Sequence, residues 1–149
     1  MLIRFLAVIP MAALLGAAPY LLQQPGPQQA GSQAAGQQEA VEFGVPANIS
    51  SEANPVRPTS AGMALAQRMY GYDCAMCHGK DGSGKGDMAA TLKTPVKDWR
   101  DPATLKGLTD GDLFYMIKKG KGDMPGEEGR QNDEGLWNMV TLVRSFAKK

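Results

Sequence analysis

The chain has 149 residues, which predicts a single domain. Its 16 Lys and Arg against 15 Asp and Glu leave a net charge of +1, so nothing argues for a nucleic-acid surface. With 2 Cys and 1 His in the whole sequence, any thiol or imidazole chemistry is confined to the few residues that carry them.

Residues 1–22 read as an export segment. Arg4 stands near the start, Phe5 to Leu15 are almost wholly apolar, and Gly16-Ala17-Ala18 supplies the small residues that signal peptidase accepts. Pro19 opposes a cut directly after Ala18. The same run approaches the roughly 18 apolar residues of a spanning helix, although Pro10 and Pro19 weaken it. A cleaved signal peptide is favoured, and an uncleaved N-terminal membrane anchor is the alternative. Either places the remainder outside the cytoplasm, in the periplasm, free or tethered to the inner membrane.

Residues 23–59 are rich in Gln, Ala, Gly and Pro and poor in aromatic and branched apolar residues. Such a composition buries too little surface to offset its ordering entropy, so a disordered linker is expected.

The folded unit is expected over 60–149. Ser60 is a credible N-cap for a helix from about Ala61 to Tyr72, whose Leu65, Met69 and Tyr72 recur at helical spacing. That helix leads into Cys74-Ala75-Met76-Cys77-His78. A C-x-x-C-H run is the attachment signature of a c-type haem: two thiols on one helical turn add to the two vinyl groups of a porphyrin edge, and the histidine beside them takes the iron. Structural zinc needs about four ligands and three are present; a thioredoxin-like site needs a βαβ setting; a plain disulfide leaves the histidine unexplained. Haem c, one per chain, is the preferred reading.

Gly79 to Asp87, with four glycines, is expected as a tight loop around the haem rim, because no strand precedes it and no Gly-Lys-Ser/Thr closes a phosphate-binding pattern. Met88 to Leu92 suits a short turn, Thr94 to Trp99 is expected extended or irregular, and Asp101 to Leu105 suits a helical turn opened by proline. Thr109-Asp110-Gly111-Asp112 opens a clear helix with an aspartate version of the capping box, ending at Lys118, Lys119 and Gly120. After a tight loop at Gly122 to Gly126, a last helix runs from Asn132 or Asp133 to Phe146, with Leu136, Val140 and Val143 on its apolar face. Three main helices and long Gly- and Pro-rich loops make an all-α domain. Its core is thin for its length, a deficit that a covalently held porphyrin fills.

The sixth position on the iron decides function: methionine gives an electron-transfer centre, and an open position permits ligand binding or catalysis. Of 9 methionines, Met1 and Met11 lie in the export segment, Met76 sits between the cysteines, and Met63, Met69, Met116 and Met139 fall on or beside apolar helix faces. Met88 and Met124 remain. Met124 is preferred because it follows a capped helix in a short loop stiffened by Pro125; Met88 and an open site are the alternatives.

From about Ser60 onward the chain resembles the class I bacterial c-type cytochromes, small monohaem domains found as free carriers or as fused and subunit domains. The resemblance rests on Tyr70 before the motif, CAMCHG, KDGSGKGD, Leu113-Phe114, Ile117, Lys119-Gly120, Met124-Pro125 and LWNMVTLVRSF. It implies a cytochrome c-like fold, thioethers from Cys74 and Cys77, and iron held by His78 and Met124. It further implies that Pro95 follows the loop whose backbone carbonyl holds the imidazole N–H, and that Trp99 lies near a haem propionate. The family commonly has glycine where this chain has Ala66, at the crossing of the first and last helices.

Three functions follow from these residues. The first is an electron carrier between a redox-protein donor and acceptor, not an enzyme, with Lys80, Lys85, Lys118, Lys119 and Lys121 either steering an acidic partner or merely solvating loops and a helix end. The second is the cytochrome subunit of a periplasmic dehydrogenase or a membrane-associated respiratory oxidoreductase complex. The third is a haem sensor or peroxidase with an open site.

Overall fold

The computed structural model describes residues 42–147, together with Ala34, Gln37, Gln38 and Ala40. The export segment expected over 1–22 lies outside the described residues. The chain forms α1 (Ala47–Ser50), α2 (Ser60–Met69), α3 (Ala75–His78), α4 (Pro102–Leu105), α5 (Asp110–Lys119) and α6 (Asp133–Phe146). A π-helical turn over Tyr70–Cys74 joins α2 to α3, and a 3-10 turn covers Ala89–Thr91. Among the described residues no strand forms; isolated bridges pair Lys121 with Met124 and Glu128 with Gln131. The all-α expectation holds.

Local chemistry sets the helix starts. The Thr59 hydroxyl, rather than Ser60, caps α2 by accepting from Gly62 N at 3.0 Å. The expected stop at Tyr72 does not occur: the helix widens by the π turn and continues to His78, carrying both cysteines on helical backbone. At α5 the box closes in both directions, Asp112 N donating to Thr109 Oγ1 at 3.0 Å and Thr109 N to Asp112 Oδ2 at 2.8 Å. Asn132 caps α6 through Gly135 N at 2.9 Å.

α6 is the central element and buries two stripes. Leu136, Trp137, Val140 and Val143 pack on Leu113, Phe114 and Met116 of α5, with Phe114 and Trp137 stacked at 4.1 Å. Met139, Leu142 and Phe146 pack on Ala66 and Tyr70, where the small Ala66 side chain lies buried at the crossing of α2 and α6. Each fully buried side chain of this size contributes roughly 1.5–3 kcal/mol. Arg144 ties the ends together, its guanidinium donating to the carbonyls of Leu105 (2.9 Å) and Leu108 (2.6 Å) and pairing with Asp110 (2.9 Å).

The linker expected over 23–59 needs correction in its C-terminal part. Ala40 is buried in the core, and Phe43, Val45, Ile49 and Val56 pack against the α5–α6 layer. Phe43 meets Tyr115 edge-on at 5.8 Å, Asn54 Nδ2 donates to Trp137 O (3.0 Å) and Thr141 Oγ1 (3.1 Å), and Thr109 Oγ1 donates to Ser50 O (2.7 Å). The physical reason is local: a few well-spaced apolar residues find an existing groove, whatever the average composition around them.

Candidate haem site

Cys74 closes the π turn, and Cys77 and His78 lie on α3. Both thiols are free and half-buried. Burial pushes the Cys74 thiol up to about 12, reinforced by the charges of Glu127 and Asp73, so it stands protonated. His78 is half-buried with its Nδ1 buried and without a hydrogen-bond partner, and burial draws the imidazole down to about 4, keeping it neutral.

The residues around the motif lock it in place. The buried Tyr70 hydroxyl donates to Gly79 O at 2.6 Å, fixing the residue directly after His78; its own burial pushes the phenol well above its usual range. The following loop folds back along the attachment segment: Gly84 N donates to His78 O (2.8 Å), Gly86 N to Cys77 O (3.1 Å) and Met88 N to Met76 O (2.9 Å). A Cβ on Gly86 would stand 2.3 Å from Met76 O, so only glycine permits this approach.

Trp99 stacks on His78 at 3.9 Å and 16°, with Phe146 beyond it at 6.4 Å, and its backbone N–H donates to Gly82 O at 2.8 Å. Sequence reasoning placed Trp99 near a propionate; here it covers one imidazole face. Pro95 is exposed, and His78 Nδ1 has no hydrogen-bond partner. Arg100 flanks Trp99 by forking onto Asp98 (2.9 and 2.7 Å) and reaching Asp81 (2.9 Å), which binds the loop after His78 to the Trp99 segment. That guanidinium holds the Asp98 carboxyl down to about 2. Nothing in the sequence singled out Arg100.

Met124 is half-buried, whereas Met88 is 46% exposed. The Met124 loop is fixed by its backbone. Met124 and Lys121 exchange hydrogen bonds at 2.9 and 3.0 Å, while Glu127 N and Glu128 N donate to the α5 carbonyls of Ile117 and Lys118 at 3.0 Å. Gly120 turns into the loop at φ 79°, a conformation that favours glycine. Beyond Met124 lies a cluster that sequence reasoning missed: Arg130 pairs with Asp73 and with the buried Glu127 at 3.2 Å, and Glu127 Oε2 has no partner.

The residues fit a covalently held porphyrin. Two free thiols and a neutral, unpaired imidazole share one helix end, and the two apolar clusters flanking α6 share Trp99 and Ile117, both only half-buried, at their borders. Of the expected lysine ring, Lys118 pairs with Asp133 (2.7 Å), Lys119 with Glu128 (2.6 Å), and Lys121 lies over the Phe43 ring (5.7 Å).

The family model described as cytochrome c oxidase, cbb3-type, subunit III matches residues 61–143. A chain of the Kuenenia stuttgartiensis reducing HAO-like protein complex is similar in structure, with a TM-score of 0.56 at 22% identity over 62% of this chain and 46% of the other. This chain therefore spans less than half of that neighbour, and the likeness is one of fold.

Proposed function

The chain belongs to the cytochrome c oxidase, cbb3-type, subunit III family, and we propose that it is a periplasmic monohaem carrier, its haem c held by Cys74 and Cys77, passing single electrons through iron held by His78 and Met124. The observation that carries this reading is the half-buried His78 imidazole, neutral and with a buried, unpaired Nδ1, beside two free thiols on the same helix end.

Bound haem supplies a one-electron couple and no site for bond-making when both axial positions are filled. The chain's part is placement. The end of the π turn and α3 hold the two sulfurs and the imidazole on one continuous stretch of helical backbone, Tyr70 and the Gly84–Gly86 ladder prevent that stretch from shifting, and Trp99 stacks on the imidazole face. The Met124 loop, locked to α5, offers a thioether without strain. A geometry that changes little between oxidation states keeps the reorganisation for electron transfer small. Methionine ligation raises the potential relative to an open or water-filled position.

A second reading is that the chain is the cytochrome subunit of a larger periplasmic or respiratory oxidoreductase. Two observations favour it: the family is that of an oxidase subunit, and the structural neighbour belongs to a protein complex. Engagement of Lys118, Lys119 and Lys121 within the chain also weakens the case for a lysine surface that steers a freely diffusing acidic partner. Purification of the native holoprotein separates the two: a free carrier runs alone, and a subunit co-purifies with a dehydrogenase or oxidase in fixed ratio.

Met124→Ala tests the ligand assignment. The variant should keep its haem, lose the weak far-red band of the oxidised protein that reports iron–sulfur bonding, and show a lower reduction potential. An unchanged potential moves the assignment to Met88.

A further inference from the structure

We propose that Arg130 is a positioning residue, a clasp that holds the Met124 loop against the haem-attachment helix and so sets how often the methionine leaves the iron. This rests on the reading of Met124 as the distal ligand. The guanidinium donates from Nη2 to Asp73 Oδ1 and from Nη1 to Glu127 Oε1 at 3.2 Å. Asp73 directly precedes Cys74 in the π turn, and Glu127 lies three residues beyond Met124 in the loop. One side chain thus bridges the segment that carries the sulfurs and the segment that carries the thioether. The backbone bonds from Glu127 and Glu128 secure the loop to α5, and Lys119 adds an ion pair with Glu128; these do not reach the attachment helix.

An exposed ion pair would do little here. These carboxylates are different: the Asp73 and Glu127 side chains are only 16% and 9% exposed, and Glu127 Oε2 is buried without a partner. Desolvation and the facing charge of Asp73 both push the Glu127 carboxyl up, and Arg130 opposes them. Without the guanidinium two poorly hydrated like charges face one another, and the direction that relieves them carries the Met124 loop away from the attachment helix. Loop opening is then a population shift, and an added ligand that competes with Met124 reports it.

The test uses oxidised holoprotein titrated with imidazole, in the native chain and in the variants Arg130→Ala, Arg130→Lys, Arg130→Ala/Glu127→Gln and Met124→Ala. Arg130→Ala should bind imidazole about tenfold more tightly than the native chain, as a tenfold larger open fraction requires. Arg130→Lys should fall between them, because an ammonium cannot fork onto two carboxylates. Adding Glu127→Gln to Arg130→Ala should restore weaker binding, since one of the two facing charges is gone; a merely structural role for Arg130 predicts no such rescue. Native affinity in Arg130→Ala, or in Arg130→Lys where the alanine variant fails to accumulate, overturns the clasp. The far-red band separates that failure from a failure of the ligand reading: its loss in Met124→Ala upholds Met124, and its persistence there overturns Met124 and the clasp together.

Discussion

Gly111→Ala gives a prediction whose sign depends on whether the segment before Thr59 is docked. Gly111 is the second residue of α5, where alanine is ordinarily the better helix former by about 0.5–1 kcal/mol. In the folded protein, however, a Cβ there would stand 1.8 Å from Ile49 O, where ordinary contact begins at 3.4 Å, so α1 must retreat by about 1.6 Å. That retreat breaks the 2.7 Å bond from Thr109 Oγ1 to Ser50 O, for about 1 kcal/mol. It also partly uncovers Ile49, for about another 1 kcal/mol. Set against the helix gain, the variant should be about 1 kcal/mol less stable. Urea denaturation of the holoprotein followed by far-ultraviolet circular dichroism should give a lower midpoint at an unchanged slope. In a chain lacking residues 1–52 the same substitution should stabilise. Stabilisation in the full-length chain would refute the docking of 42–56 on α5.

Two further predictions concern the site. Tyr70→Phe removes the shorter of two bonds to the buried Gly79 carbonyl, which also accepts from Gly82 N at 3.3 Å, so the holoprotein should lose about 0.5–1.5 kcal/mol in denaturant while keeping its haem; native stability would mean that the Gly82 bond suffices. Glu127→Gln should change the pH dependence of stability. Burial first, and then Asp73, raises the Glu127 carboxyl above its ordinary 4.5 against the opposing pull of Arg130, so the folded state holds that proton more tightly than the unfolded chain. Glu127 therefore costs stability as pH rises from 4.5 through its folded value, and the glutamine variant should lack that decline. Parallel profiles for the two proteins across that window would contradict the assignment.

The parts of the fold that were legible in the sequence are those fixed by neighbours a few residues apart. Thr109 with Asp112, Gly120 after Lys119, Asp101 with Pro102, and Asn132 before Leu136, Val140 and Val143 each specify an element end or face within one or two turns. The path of 42–56 was hidden because it depends on a groove made by α5 and α6, some sixty or more residues away. Averaging composition over 23–59 also diluted Phe43, Val45, Ile49 and Val56 among glutamines and prolines. The continuation of the helix beyond Tyr72 into the attachment segment was missed for a related reason: the apolar periodicity ends at Tyr72, while the bond from Tyr70 to Gly79 O that follows from continuing is visible only in three dimensions. At the site, C-x-x-C-H announced its chemistry by spacing alone. The Trp99–His78 stack, the Arg100–Asp81 bond and the Arg130–Asp73 bond join residues 19 to 57 positions apart, and single charges or aromatics at such separations leave no pattern to read.

The account stands on sulfur–carbon bonds at Cys74 and Cys77. Mass spectrometry of the protein after unfolding in acid and extraction with organic solvent measures them directly. The chain should retain the mass of one haem, and digestion should place that mass on the peptide that spans both cysteines. Two alkylatable thiols on an unmodified peptide would contradict it.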